Sequence, residues 1–173
     1  MLTGLALFYV GAVLILNGLW MLERIGDREI AVINAFTGGI TLLVALKLAF
    51  GDGADAASIK AATLSLLFSF TYLWVAINRY NGADGRGLGW FSLFVAITAV
   101  PVAVDSLRHA ASAMEVWLGL SWAAWSILWL MFFLLLALGK PIRRLTACTA
   151  IAEGLATAWL PGWMLLGGGL GAG

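Results

Sequence analysis

The sequence predicts an all-α membrane protein: one domain over residues 1–173, six transmembrane helices in three hairpin repeats, N- and C-termini outside. Three observations carry this. First, 62% of the 173 residues are hydrophobic and 11% are charged, with a mean hydropathy of +0.99. That is too little charge to cover a water-soluble globule of this size. Second, the charges are clumped, leaving uncharged stretches at 1–22, 30–46, 61–78, 87–104, 116–139 and, broken only by Glu153, 145–173. Each is close to the ~20 residues a helix needs to cross a bilayer. Third, if the N-terminus is outside, the cytoplasmic loops carry Arg24, Arg28, Arg79, Arg86, Lys140, Arg143 and Arg144, and the outer side only Lys47, Lys60 and Arg108. This is the asymmetry of positive-inside sorting. The loops left over are too short for a soluble catalytic domain.

The first span, about 2–22, reads as a retained helix and not a signal peptide, because no Lys or Arg precedes Arg24 and the apolar run is long. Gly4, Gly11 and Gly18 recur every seven residues on one face, a seam where a second helix packs closely. The second span, about 30–50, is set off by Gly26-Asp27 and Gly51-Asp52-Gly53. The third, about 61–78, ends before Asn81-Gly82-Ala83-Asp84-Gly85. The fourth, about 88–105, has no breaker between Asp105 and Glu115. The fifth, about 116–138, stops at Gly139-Lys140-Pro141. The sixth, about 145–167, runs into a glycine-rich tail, Gly167 to Gly173, expected to fray. Thr41, Thr98 and Thr157 sit near the middle of the three even-numbered spans, the trace of a threefold repeat.

The side chains that are costly in a membrane carry the functional reading. A charged acid at the depth of Glu153 costs about 2.5–3.5 kcal/mol on insertion scales unless it meets a cavity or a partner. Glu153 is therefore either a hydrogen-bonding link between helices or a polar station on a solute path, and the second reading is preferred. Leu118, Trp122, Trp125 and Trp129 fall within about 60° of one another, a stripe roughly 16 Å long. They form either the wall of a narrow slot or a packing core, with Trp117 in an interfacial belt. Tyr72 and Trp74, near Phe68 and Phe70, bring polar tips that need partners when buried. Asn17, Asn34 and Asn78 read first as interhelical or capping hydrogen bonds. His109 reads as a solvated loop residue. A net charge of +1 without a long basic run argues against nucleic acid. With one cysteine, Cys148, and one histidine, neither an internal disulfide nor a metal site is expected.

Five segments carry a family likeness: the opening Met1 to Gly18; Phe68-Ser-Phe-Thr-Tyr72-Leu-Trp-Val-Ala-Ile-Asn78; Trp90-Phe-Ser-Leu-Phe-Val-Ala-Ile; Trp122-Ala-Ala-Trp125-Ser-Ile-Leu128-Trp129; and Ala150-Ile-Ala-Glu153-Gly-Leu-Ala-Thr157-Ala-Trp159-Leu-Pro161. Together they resemble the AmiS/UreI family of urea and short-chain amide channels, over five of six spans in order. The resemblance implies an inner-membrane homohexamer with one passive pore through each protomer and no cofactor. By matching positions it implies a pore pinched by Leu7, Val10, Leu14, Phe68, Tyr72, Trp122, Trp125, Leu128 and Trp129, with Glu153 beside the narrow part. Leu118 stands on the same path, where the urea channels have a further tryptophan. The implied partners are urea or short-chain aliphatic amides, the lipid bilayer, and a cytoplasmic amidase or urease that consumes the solute.

The acid-gated urea channels of that family have long, histidine-rich outer loops. Here those loops are short and hold only His109, so the amidase-associated transporters are the nearer likeness and acid gating is not expected. The main rival is a proton-coupled secondary transporter working through Glu153, against which stands the lack of any second intramembrane ionisable group. An assembly subunit would use Glu153 only as glue. An enzyme is disfavoured because no nucleophile and base pair appears. One methyl group discriminates modestly in an apolar slot, so urea, acetamide and propionamide stay together as solutes.

Overall fold

In the computed structural model, which describes residues 1–168, the chain is a ring of six helices. These are α1 Leu2–Met21, α2 Asp27–Phe50, α3 Ala56–Asn81, α4 Arg86–Arg108, α5 Ala113–Leu136 and α6, which begins as Arg143–Glu153. α6 continues as a π-helical segment Gly154–Trp159, a short α turn Leu160–Trp163 and a second π-helical segment Met164–Gly168; α6 denotes the whole run below. α1 to α5 are each long and apolar enough to cross a membrane, and the chain is a multi-pass membrane protein. The glycine-rich end of the tail, 169–173, lies outside the described residues.

Several helices outlast their uncharged stretches: α2 starts at Asp27 and α3 at Ala56. Charge marks where water begins; the hydrogen-bonded ladder continues until a cap stops it. Asp55 caps α3 in a reciprocal box with Ser58, and these hydrogen bonds hold the Asp55 carboxyl below its usual range. Gly82 and Gly85 turn the chain between α3 and α4 with φ of 73° and 83°, a backbone region that favours glycine. The connection that lacked a breaker is closed by another device. Ser112 Oγ accepts from the Glu115 N–H at 3.2 Å, and Glu115 Oε2 accepts from the Ala111 N–H at 2.6 Å. Ser-x-x-Glu is a helix-start signature, so this boundary was readable from capping chemistry and not from Gly or Pro.

The ends of the ring are sorted by charge. At one end Arg79 pairs with Asp27 at 3.5 Å, Arg86 with Asp84 at 2.7 Å and Arg143 with Glu23 at 3.5 Å. At the other, Asp105 holds Lys60 at 2.8 Å and His109 at 3.2 Å. His109 is exposed, as expected of a loop residue, but it is tied to the end of α4 through Asp105.

The most extensive helix contacts are α2 with α3, α4 with α5, and α6 with α1. Relative to hairpins counted from α1, the tight pairs are offset by one helix, and the third of them joins α6 to α1. Small residues and hydroxyls make the close approach. Ser69 Oγ donates to the Gly38 carbonyl at 2.9 Å across α2/α3, and Ser126 Oγ donates to the Ala96 carbonyl at 2.8 Å across α4/α5. In α1/α6 the Gly4, Gly11 and Gly18 seam lies on α6, so this stripe is the packing face that its spacing predicts. A Cβ on Gly11 would stand 2.4 Å from the Trp159 backbone nitrogen, a backbone atom that cannot rotate away. Gly11→Ala should therefore lower stability by about 1–3 kcal/mol, read as a reduced melting temperature in detergent. An unchanged melting temperature would show that the seam has slack. Thr41, Thr98 and Thr157 each donate to the carbonyl four residues earlier, on Thr37, Phe94 and Glu153.

Candidate functional site

α3 and α4 touch little, and the space left between α1, α3, α4 and α5 is a cavity of about 530 Å³. It opens at the end that carries Asp27, Arg79, Asp84 and Arg143, and its inner part is lined by Leu14, Phe68, Tyr72, Trp125, Leu128 and Trp129. Helical spacing explains the choice of side chains. On α3, Phe68, Thr71, Tyr72, Val75, Asn78 and Arg79 follow steps of three and four, as do Trp125, Leu128, Trp129, Phe132, Leu135 and Leu136 on α5. Val75 and Phe132 were not among the sequence candidates, although both continue stripes already visible there.

The inner end is an aromatic cluster centred on Phe68. Its ring centroid lies 5.7 Å from Trp122, 5.0 Å from Trp125, 4.9 Å from Trp129 and 6.5 Å from Tyr72. Trp122 and Trp125 meet edge to face at 5.2 Å. Trp125, Trp129 and Tyr72 are buried within the bundle, so the tryptophan stripe faces inward and not into lipid. Leu7 and Val10 belong to the same hydrophobic cluster, and Leu118 and Trp122 pack against it. These four and Glu153 do not line the cavity, which stops at its aromatic end.

α6 closes this end through its irregular turns. Trp125 Nε1 donates to Thr157 Oγ1 at 2.8 Å, and Thr157 Oγ1 donates on to the Glu153 carbonyl at 2.6 Å. Pro161 has no N–H to give the turn before it, and the Ala156 carbonyl accepts instead from Trp117 Nε1 at 2.9 Å. Trp117 is thus a strut between α5 and α6 as well as a partly exposed ring, which its place near a membrane boundary did not reveal. The Glu153 side chain is part-buried; its Oε2 is enclosed and without a hydrogen-bond partner among the described residues. A carboxyl serving only as interhelical glue would have one.

The three asparagines divide. Asn17 and Asn34 form a reciprocal carboxamide pair, with Nδ2 to Oδ1 distances of 3.1 and 2.7 Å, and Asn34 Nδ2 also reaches the Ile30 carbonyl at 2.8 Å. Asn78 faces the cavity instead. At the mouth, Trp20 Nε1 donates to Asp27 at 2.7 Å, the Arg79 guanidinium lies 5.2 Å over the Trp20 ring, and the Arg86 backbone and side chain hold the Asp84 carboxyl below its usual range. No group of three or more His, Cys, Asp or Glu is placed to hold a metal among the described residues. Cys148 is exposed.

A ring of membrane-spanning helices around a cavity that is polar at its mouth and aromatic at its inner end defines a membrane transporter or channel. The sequence model of the AmiS/UreI family of transporters matches residues 2–169, and the chain belongs to that family. It is 45% identical over 166 residues to a protein of Mycolicibacterium smegmatis named as an amidate substrates transporter, covering 95% of this chain and 76% of that one. It is 35% identical to the acid-activated urea channel of Helicobacter pylori, covering 94% of this chain and 96% of the relative. That alignment runs over 189 residues, more than the 173 of this chain, so the relative carries inserted residues. The crystal structure of the Helicobacter pylori urea channel superposes with a TM-score of 0.85 at 38% identity, covering 96% of this chain and 97% of that one. The relatives named here are transporters and channels, not enzymes.

Proposed function

We propose that this protein is a passive channel for small neutral amides or urea. In this reading it lies in the cell inner membrane with both termini outside, descends from three repeated hairpins, and assembles as a homohexamer with one narrow aromatic-lined path through each protomer. The observation that carries the proposal is the cavity that ends on Phe68, Tyr72, Trp125, Leu128 and Trp129 with no charged side chain at that end. From there the path continues past Trp122, Leu118, Val10, Leu7 and Glu153 to the outer side. Urea and acetamide are flat, neutral and dipolar, so ring faces with a few polar tips accept them. An ion stripped of its water there meets no compensating ligand. The channel and transporter relatives support the same reading, and a cytoplasmic amidase or urease would draw the solute inward.

The proton-coupled alternative needs a relay, and the uncharged stretches of the other spans offer Glu153 no second ionisable station. Purified protein in proteoliposomes should therefore conduct urea and acetamide down a solute gradient with the membrane potential and pH gradient collapsed. Accumulation of an amide against its gradient under an imposed proton gradient would overturn passive transport. Flux should also show no steep, gate-like rise as outer pH falls from 7 to 5; Glu153 is the acid on the path through which conduction itself would respond to pH. Asp55 and Asp84 have depressed pKa values, so their contribution is complete above the ordinary carboxylate range and is lost only as pH falls below it. The one histidine, His109, is exposed and tied to Asp105 at the opposite end of the ring from the cavity mouth. A steep acid-induced rise abolished by His109→Ala would refute this.

A further inference from the structure

The cavity wall holds polar tips without a hydrogen bond among the described residues on Tyr72, Trp129 and Asn78, and of these only Asn78 carries an amide, with both donors and an acceptor. Asn78 is 5% exposed and lines the cavity. Its backbone carbonyl accepts from the Ala83 N–H, but its carboxamide meets no hydrogen-bond partner among the described residues. Most of the other polar groups around it are occupied. Asn17 is paired with Asn34, Thr71 and Ser92 donate to the Leu67 and Leu88 carbonyls, and Trp20 donates to Asp27. Asp84 is held by Arg86, and Arg79 is shared between Asp27 and the Ala83 carbonyl. Asn78 faces a cavity open at its mouth, and its NH2 and C=O are free to exchange water for the polar groups of an arriving solute.

We propose that Asn78 is the recognition station for the solute's own amide group, which pairs with it reciprocally through both C=O and N–H. The inference rests on the channel reading above and names the group that selects the solute. The pairing already exists once in the molecule: Asn17 and Asn34 show two carboxamides joined by two reciprocal hydrogen bonds at 3.1 and 2.7 Å. Urea and primary amides carry an N–H on the same side as their C=O, so each can replace one partner of such a pair. A trans secondary amide such as N-methylacetamide turns its N–H to the opposite side and makes at most one bond. Asn78 is also well placed along the path. It lies on the α3 stripe six residues from Tyr72, about 9 Å along the axis, so a captured solute waits between the charged mouth and the aromatic cluster.

The test is the concentration dependence of flux in proteoliposomes for urea, acetamide and N-methylacetamide, in wild type, Asn78→Leu, Asn78→Asp and Asn78→Gln. Loss of two neutral hydrogen bonds should raise the half-saturation concentration for urea and acetamide about tenfold in Asn78→Leu. N-Methylacetamide should change little, so the wild-type preference for primary amides disappears. Asn78→Asp keeps the shape and loses the N–H donors, and should show the same loss; Asn78→Gln keeps the carboxamide and should restore part of the preference. The isosteric Asp variant and the amide-keeping Gln variant keep the test decisive if the Leu variant fails to fold. Unchanged half-saturation and an unchanged preference in the variants, with flux above protein-free vesicles, would overturn the role of Asn78 and leave the channel intact. Wild-type vesicles no more permeable than protein-free ones would overturn the channel reading itself.

Discussion

Trp129→Ala is expected to let propionamide gain on urea about tenfold in relative flux, because the indole it removes stands 4.9 Å from Phe68 at the inner end of the cavity. Trp125→Ala should act in the same direction with a larger penalty to the protein. Its ring lies 5.0 Å from Phe68, and its Nε1 holds Thr157 Oγ1 at 2.8 Å, so truncation both widens the slot and releases α6. Either change should reduce stability by about 3–5 kcal/mol, the usual cost of emptying a large aromatic site. Solute ranking must therefore be measured on variants shown to assemble. Should both assemble normally and leave the order of urea, acetamide and propionamide untouched, the rings only fill space and the slot reading fails.

Glu153→Gln should lower urea and acetamide flux several-fold while the fold is retained. The substitution is nearly isosteric, and Oε2 has no protein hydrogen bond to lose. What changes is the group presented to a passing solute: Gln replaces one carboxyl oxygen with an NH2, which offers a solute N–H one acceptor fewer. Equal permeability of Glu153→Gln and wild-type vesicles at matched protein density would make the acid a structural residue only.

The gaps between charges reveal the six spans because every membrane helix must exclude charge from the same thickness of lipid. Helix ends are set by local capping, which charge does not report, so α2 and α3 begin earlier than their apolar runs and the α4/α5 boundary rests on Ser112 and Glu115. The inward face of the tryptophan stripe was half legible. Periodicity aligned Trp122, Trp125 and Trp129, but only Phe68, arriving from another helix, shows what they meet. The asparagines show the limit most clearly. All three are alike in sequence terms, yet two satisfy each other and the third faces open space, a difference made by which helices become neighbours. The bond from Trp117 to Ala156 was hidden for the same reason, since it depends on a π-helical turn that Pro161 helps create.

The contact between α1 and α6 has a consequence for how the molecule is made. The α2/α3 and α4/α5 pairs join segments that leave the ribosome one after the other, so each can close as soon as its second member enters the bilayer. α1 is synthesised before α2 to α5, yet the surface that receives its glycine seam, around Trp159 and Gly162, is synthesised only after them. Until α6 is made, α1 must wait in lipid with its tightest partner missing, and the ring closes in a single long-range event. Biogenesis therefore has a vulnerable interval that the finished structure conceals, and a chain cut short before its sixth helix would have two formed pairs but no closed ring.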